Sequence, residues 1–160
     1  MKHVIHMTIF ALLLAATLFA SFSAGEDVSP VSPTAQGMVD AGKKYPEAHV
    51  CESQPHPLLM QLASEQAQYQ AQHQTQGHQG FSARYQKIEQ AEIGSATGIC
   101  AESWPWQRDE SMFNLGTEMF KCWRQSSEHW AVVCRKHKWF GAEMAQGQNG
   151  IWYATIIVAD

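Results

Sequence analysis

Apolar residues at Leu58, Leu59, Leu62, Ala63 and Ala67, continued by Tyr69 and His73, recur at spacings of three and four, the period of a helix with one buried face. Pro57 suits a first helical position and Gly77 ends the pattern, so a helix is predicted from Pro57 to about Gln76. Its polar side carries Gln66, Gln68, Gln70, Gln72, Gln74 and Gln76, which reads as a solvent-facing surface above a Leu and Ala stripe. A second short helix is predicted over Phe81 to Glu92, with Tyr85 and Ile88 inward. A third covers Ser111 to Ser126, where Met112, Leu115, Met119 and Trp123 step by three, four and four. Ser126 or Ser127 then caps a last short helix that runs through Val133. The end of the chain differs in kind. Two apolar runs, Trp139–Ala145 and Ile151–Val158, flank Asn149-Gly150, a strong hairpin turn. The second run is β-branched and aromatic throughout, as expected for a strand buried on both faces, at the centre of a sheet with helices on each side.

The pattern is weaker at the start. Ser29-Pro30, Ser32-Pro33, Gly37, Gly42 and Pro46 interrupt any period, so residues 24–54 read as a flexible linker ahead of a domain at 55–160. Residues 1–23 read as a signal peptide. Lys2 supplies the positive start, Ile9 to Ala20 is apolar but too short to span a bilayer, and Ser21 and Ser23 are small, as cleavage after Ser23 requires. The mature chain is expected to be secreted or periplasmic, with no transmembrane segment.

Charge narrows the partners. The chain carries −4 at pH 7, and cleavage would remove one of its 11 basic residues and none of its 15 acidic ones. With its basic residues scattered, that balance argues against nucleic acid. The four cysteines are Cys51, Cys100, Cys122 and Cys134. An even count in an exported chain favours two disulfides. Three pairings are open, and Cys51–Cys100 with Cys122–Cys134 is the favoured one. No pair has the close spacing of a zinc-binding cysteine motif.

No catalytic triad signature and no phosphate loop occur. The candidate chemistry lies in histidines. His3 and His6 belong to the signal, His49 and His56 lie in or beside the linker, and His137, between Lys136 and Lys138, reads as solvated. That leaves His73, His78 and His129.

Three of the remaining pieces occur in a telling order. Gly77-His78-Gln79-Gly80-Phe81 follows the first helix, Ala101-Glu102-Ser103 precedes the third, and Trp123-x-x-Ser126-x-x-His129 closes it and opens the next. Together with the signal and the terminal hairpin, they resemble the CAP superfamily (cysteine-rich secretory protein, antigen 5 and pathogenesis-related), and within it the bacterial SCP-like extracellular domain. The likeness covers about residues 57–159. Ser103 stands where the family has Asn, and the family's usual second Glu, near Ser126, is missing.

The resemblance implies an α+β fold, a three-layer α-β-α sandwich around a small, mostly antiparallel sheet. It also implies a cleft lined by His78, Glu102, Ser103, Trp123, Ser126 and His129. His78 and His129 are its candidate ligands for Zn²⁺, and Glu102 is its candidate acid. His73 competes with His78. The implied function is binding of a small ligand, a lipid or an extracellular protein, rather than catalysis. The alternative is a metal-dependent extracellular hydrolase using His78, Glu102 and His129.

Overall fold

A computed structural model describes residues 31–105 and 111–160, so the signal-peptide reading of 1–23 lies outside the described residues. The elements in chain order are α1 (Pro33–Gly42), a 3-10 turn (His49–Glu52), β1 (Gln54–Pro55), α2 (Pro57–His73), α3 (Phe81–Gln90), β2 (Ala96–Pro105), α4 (Met112–Gln125), α5 (Ser127–Cys134), β3 (Trp139–Gln146) and β4 (Ile151–Ala159). The chain is thus mixed α+β. Its strands form one sheet in the order β1-β3-β4-β2. The short β1 pairs parallel to β3, and the other pairings are antiparallel.

Both faces of this sheet are covered. Phe140, Ala142 and Met144 of β3 alternate toward one side, with Ala154, Ile156 and Val158 of β4, and pack with Met38, Leu115, Met119, Phe120, Trp123 and Val133. Trp139, Ile157 and Ala159 turn the other way, onto Leu59, Leu62 and Ala63 of α2 and Ile88 of α3. The two-residue strand period sorts one hairpin's side chains into two cores. β4 is accordingly buried from Tyr153 to Ala159, as its nearly continuous apolar run predicts. Gly141 lets α2 lie directly on β3: a Cβ there would come within 2.0 Å of the Leu59 backbone.

The stretch read as a flexible linker, 24–54, is corrected over its described part. Ser32 caps α1 by accepting from the Ala35 amide at 3.0 Å, and Pro33 starts the helix. Ala35, Gly37, Met38, Ala41 and Gly42 are buried on α4. A Cβ on Gly116 of α4 would meet the Gly37 carbonyl at 2.6 Å and Ala41 at 2.9 Å. The small residues that looked like breakers are what allow the two helix backbones to approach.

The cysteine expectation is corrected too. Cys51 and Cys134 are free thiols, so neither favoured pairing forms. Cys134 ends α5 and Cys122 lies on α4. Cys51 is packed against Gly42, and burial pushes its thiol up to about 12. His137 is also not solvated. It is buried, with Nδ1 at 3.1 Å from the Asp160 carboxylate and Nε2 at 3.0 Å from the Val132 carbonyl.

Candidate functional site

Two loops meet beside the edge strand β2. α3 contacts β2 from the side of the α2 core, and α5 contacts it from the side of the α1–α4 core. The loop that enters α3 carries His78, and the first turn of α5 carries His129. Their rings lie 6.3 Å apart between centroids and cross at 68°. Desolvation holds the His78 imidazole below the usual histidine range, and the neighbouring His129 ring and Arg84 guanidinium push it the same way. At neutral pH it is therefore an uncharged ring able to accept a hydrogen bond or bind a metal.

The sequence motif explains how His129 is held. Ser126 ends α4 and caps α5, its hydroxyl accepting from the His129 amide at 3.4 Å. A cap that reaches the third residue of the new helix fixes the Ser-x-x-His spacing. Trp123 does not line the cleft, contrary to the expectation above. It is fully buried, edge-on to Phe120 at 5.5 Å, and anchors the end of α4 in the core. Glu102 and Ser103 lie on β2, in register with Ala154 and Tyr153 of β4. His73 is not part of the pair. It stacks on Tyr69 at 4.0 Å on the exposed end of α2.

His78 sits in a loop that is clamped from below. Gln70 is fully buried, donates to Thr155 Oγ1 of β4 at 3.0 Å and accepts from the Gly77 amide at 3.1 Å. Gln66 is 2% exposed and donates to the Gly77 carbonyl at 2.7 Å. Arg84 of α3 donates to Gln66 Oε1 at 2.6 Å and to the Gln79 carbonyl. Reading the glutamines as one solvent-facing surface missed these two. The signal was their spacing: Gln66 and Gln70 follow Leu59, Leu62 and Ala63 at helical intervals and so belong to the buried stripe, whereas Gln68, Gln72, Gln74 and Gln76 do not.

Among the described residues, no group of three or more His, Cys, Asp or Glu side chains could enclose a metal ion. The two imidazoles are a partial donor set. On one tetrahedral Zn²⁺, with bonds of about 2.0–2.1 Å, two imidazole centroids sit about 5 Å apart. The observed spacing is wider by about an ångström.

No protein-family model matches the chain, and no curated protein does. Among solved structures, an outer surface protein from Borrelia burgdorferi has a similar fold, with a TM-score of 0.56 at 13% identity, covering 79% of this chain and 94% of that one. At that identity the likeness is one of fold. No described helix is long and apolar enough to cross a membrane.

Proposed function

We propose that this chain is an extracellular or periplasmic binding module of the CAP type, built as a three-layer α-β-α sandwich, whose ligand site is the His78–His129 pair. Glu102 and Ser103 of β2, with Ser126, complete the cleft in this reading. The observation that carries it is the convergence of the two imidazoles at 6.3 Å, one from the loop before α3 and one from the first turn of α5. Buried glutamines beneath the loop hold the exposed His78, and a helix cap holds the half-buried His129. The fold shared with an outer surface protein is in keeping with an extracellular setting.

Zn²⁺ is the ion such a pair takes, with Glu102 as the proposed further donor or proton acceptor. A metal bound there would polarise a ligand oxygen or lower the pKa of a water. The hydrolase alternative shares this first step, metal capture, and the same titration tests it.

The experiment is calorimetric titration of the protein with Zn²⁺ at pH 7. Binding is expected, and His78→Ala or His129→Ala should abolish it while His73→Ala leaves it intact. Affinity should fall as pH drops, because protonated imidazole cannot ligate. His78 is depressed, so its own loss comes below the ordinary value near 6.5. Affinity no tighter than about 1 mM, or an equal loss in His73→Ala, overturns the paired-imidazole site.

A further inference from the structure

The separation of the His78 and His129 rings distinguishes one metal geometry from another. On a linear centre, with bonds of about 2 Å, two imidazole centroids sit about 6 Å apart, against about 5 Å on a tetrahedral one. The observed 6.3 Å is the linear spacing. A linear ion requires only that each ring plane contain the bond axis. The two planes are then free to cross at any angle, and the observed 68° is admissible.

The donors and the local charge favour the same geometry. Among the described residues, no third His, Cys, Asp or Glu joins the pair. A tetrahedral Zn²⁺ needs two ligands beyond the imidazoles, whereas a monovalent d¹⁰ ion such as Cu(I) is satisfied by two nitrogen donors. Positive charge is also unwelcome here. The Arg84 guanidinium lies close enough to push the His78 imidazole toward its neutral form. Arg84 is buried, its Nε and Nη2 have no hydrogen-bond partner, and Glu65, the acid that acts on it, has Lys87 at 3.6 Å. Repulsion from that guanidinium scales with the charge of the ion, so a dication meets twice what a monocation meets.

We propose that His78 and His129 bind Cu(I) between them in linear, two-coordinate geometry. The proposal rests on the paired-imidazole site above and names the ion that fits its spacing. Zn²⁺ there has to recruit Glu102 or water, and Cu(I) needs neither. Each neutral imidazole gives one nitrogen lone pair. No electron is transferred, and copper enters and leaves in the same oxidation state.

The test compares the two ions on one protein. Thiolates outcompete imidazole for Cu(I), so the thiols that react in the folded protein are first alkylated. Cu(I) is then titrated without oxygen, with ascorbate present, against the chromophoric chelator bicinchoninate at pH 7, and Zn²⁺ is titrated separately by calorimetry. One Cu(I) should bind, at least about a hundredfold more tightly than Zn²⁺. X-ray absorption of the copper-loaded protein should show two nitrogen neighbours and the intense pre-edge peak of two-coordinate Cu(I). His78→Ala or His129→Ala should abolish binding, and His73→Ala should retain it. Glu102→Gln should spare Cu(I) while weakening Zn²⁺. The wild-type spectrum decides the geometry even if a histidine variant fails to fold. Zn²⁺ bound as tightly as Cu(I), three or four copper neighbours, or a loss of Cu(I) affinity in Glu102→Gln overturns the linear site and leaves the histidine pair standing. Cu(I) binding that survives in His78→Ala or His129→Ala overturns the assignment of copper to the pair. Failure of both ions to bind the wild-type protein overturns the pair itself.

Discussion

Gln70→Leu tests whether the His78 loop is held by the buried glutamine. Leucine is close in volume and keeps the helix, so the change removes hydrogen bonds with little loss of packing. Two bonds go: the one to Thr155 at 3.0 Å and the one from the Gly77 amide at 3.1 Å. Each is worth about 1 kcal/mol net, and a buried partner left stranded costs about 1–3 kcal/mol. Thr155 is fully buried, so its hydroxyl is stranded, whereas Gly77 is half-buried and its amide regains water. The expected loss is therefore about 2–4 kcal/mol, weighted toward the Thr155 side. Thr155→Val removes the other partner. Combined with Gln70→Leu it should cost less than the two single changes together, with a coupling of about 1–2 kcal/mol. Urea unfolding at pH 7 measures all three variants. Zinc affinity measured on Gln70→Leu while still folded should also fall, because the loop that carries His78 has lost its tie to β4. A cost under about 0.5 kcal/mol, or strict additivity with Thr155→Val, would refute the clamp.

Two further predictions concern single groups. Ser126→Ala should destabilise the protein by about 1 kcal/mol through loss of the α5 cap and should weaken zinc binding through His129; an unchanged zinc affinity would separate the cap from the site. Cys51 should resist thiol labelling at pH 8 while the protein is folded, because burial pushes its thiol up to about 12, and should label once denatured; prompt native labelling, located by mass spectrometry, would contradict that environment.

The periodic parts of the chain were legible as they stand. The Leu and Ala stripe after Pro57, the stripe from Leu115 to Trp123 and the Asn149-Gly150 turn each follow from a local repeat, and α2, α4 and the β3–β4 hairpin lie where those repeats place them. Other features depend on partners distant in sequence. Gly37, Gly42 and Pro46 looked like the punctuation of a linker, because smallness reads as flexibility until another helix is known to need the space. Gly116 of α4 needs it. His137 looked solvated between two lysines, yet the chain end brings Asp160 to its Nδ1. Gln66 and Gln70 looked like two of many polar residues, but Thr155, Arg84 and the loop at Gly77 satisfy their buried amides.

By itself, the sequence determined the type and order of most elements, the hairpin with its buried final strand, and the choice of His78, Ser126 and His129 as residues worth locating. The elements follow from side-chain period, capping chemistry and turn chemistry, all of which act over a few residues; the three residues were picked out by the family resemblance of their ordered motifs. Tertiary structure alone decided that α1 joins the core, that Trp123 is packing rather than cleft, that Cys51 and Cys134 remain thiols, and that Arg84 is buried with Nε and Nη2 unpaired. The 6.3 Å between His78 and His129 belongs with them. One ring comes from the loop before α3 and the other from the first turn of α5, and the distance between them is set by how α3 and α5 pack around β2, which no local pattern encodes.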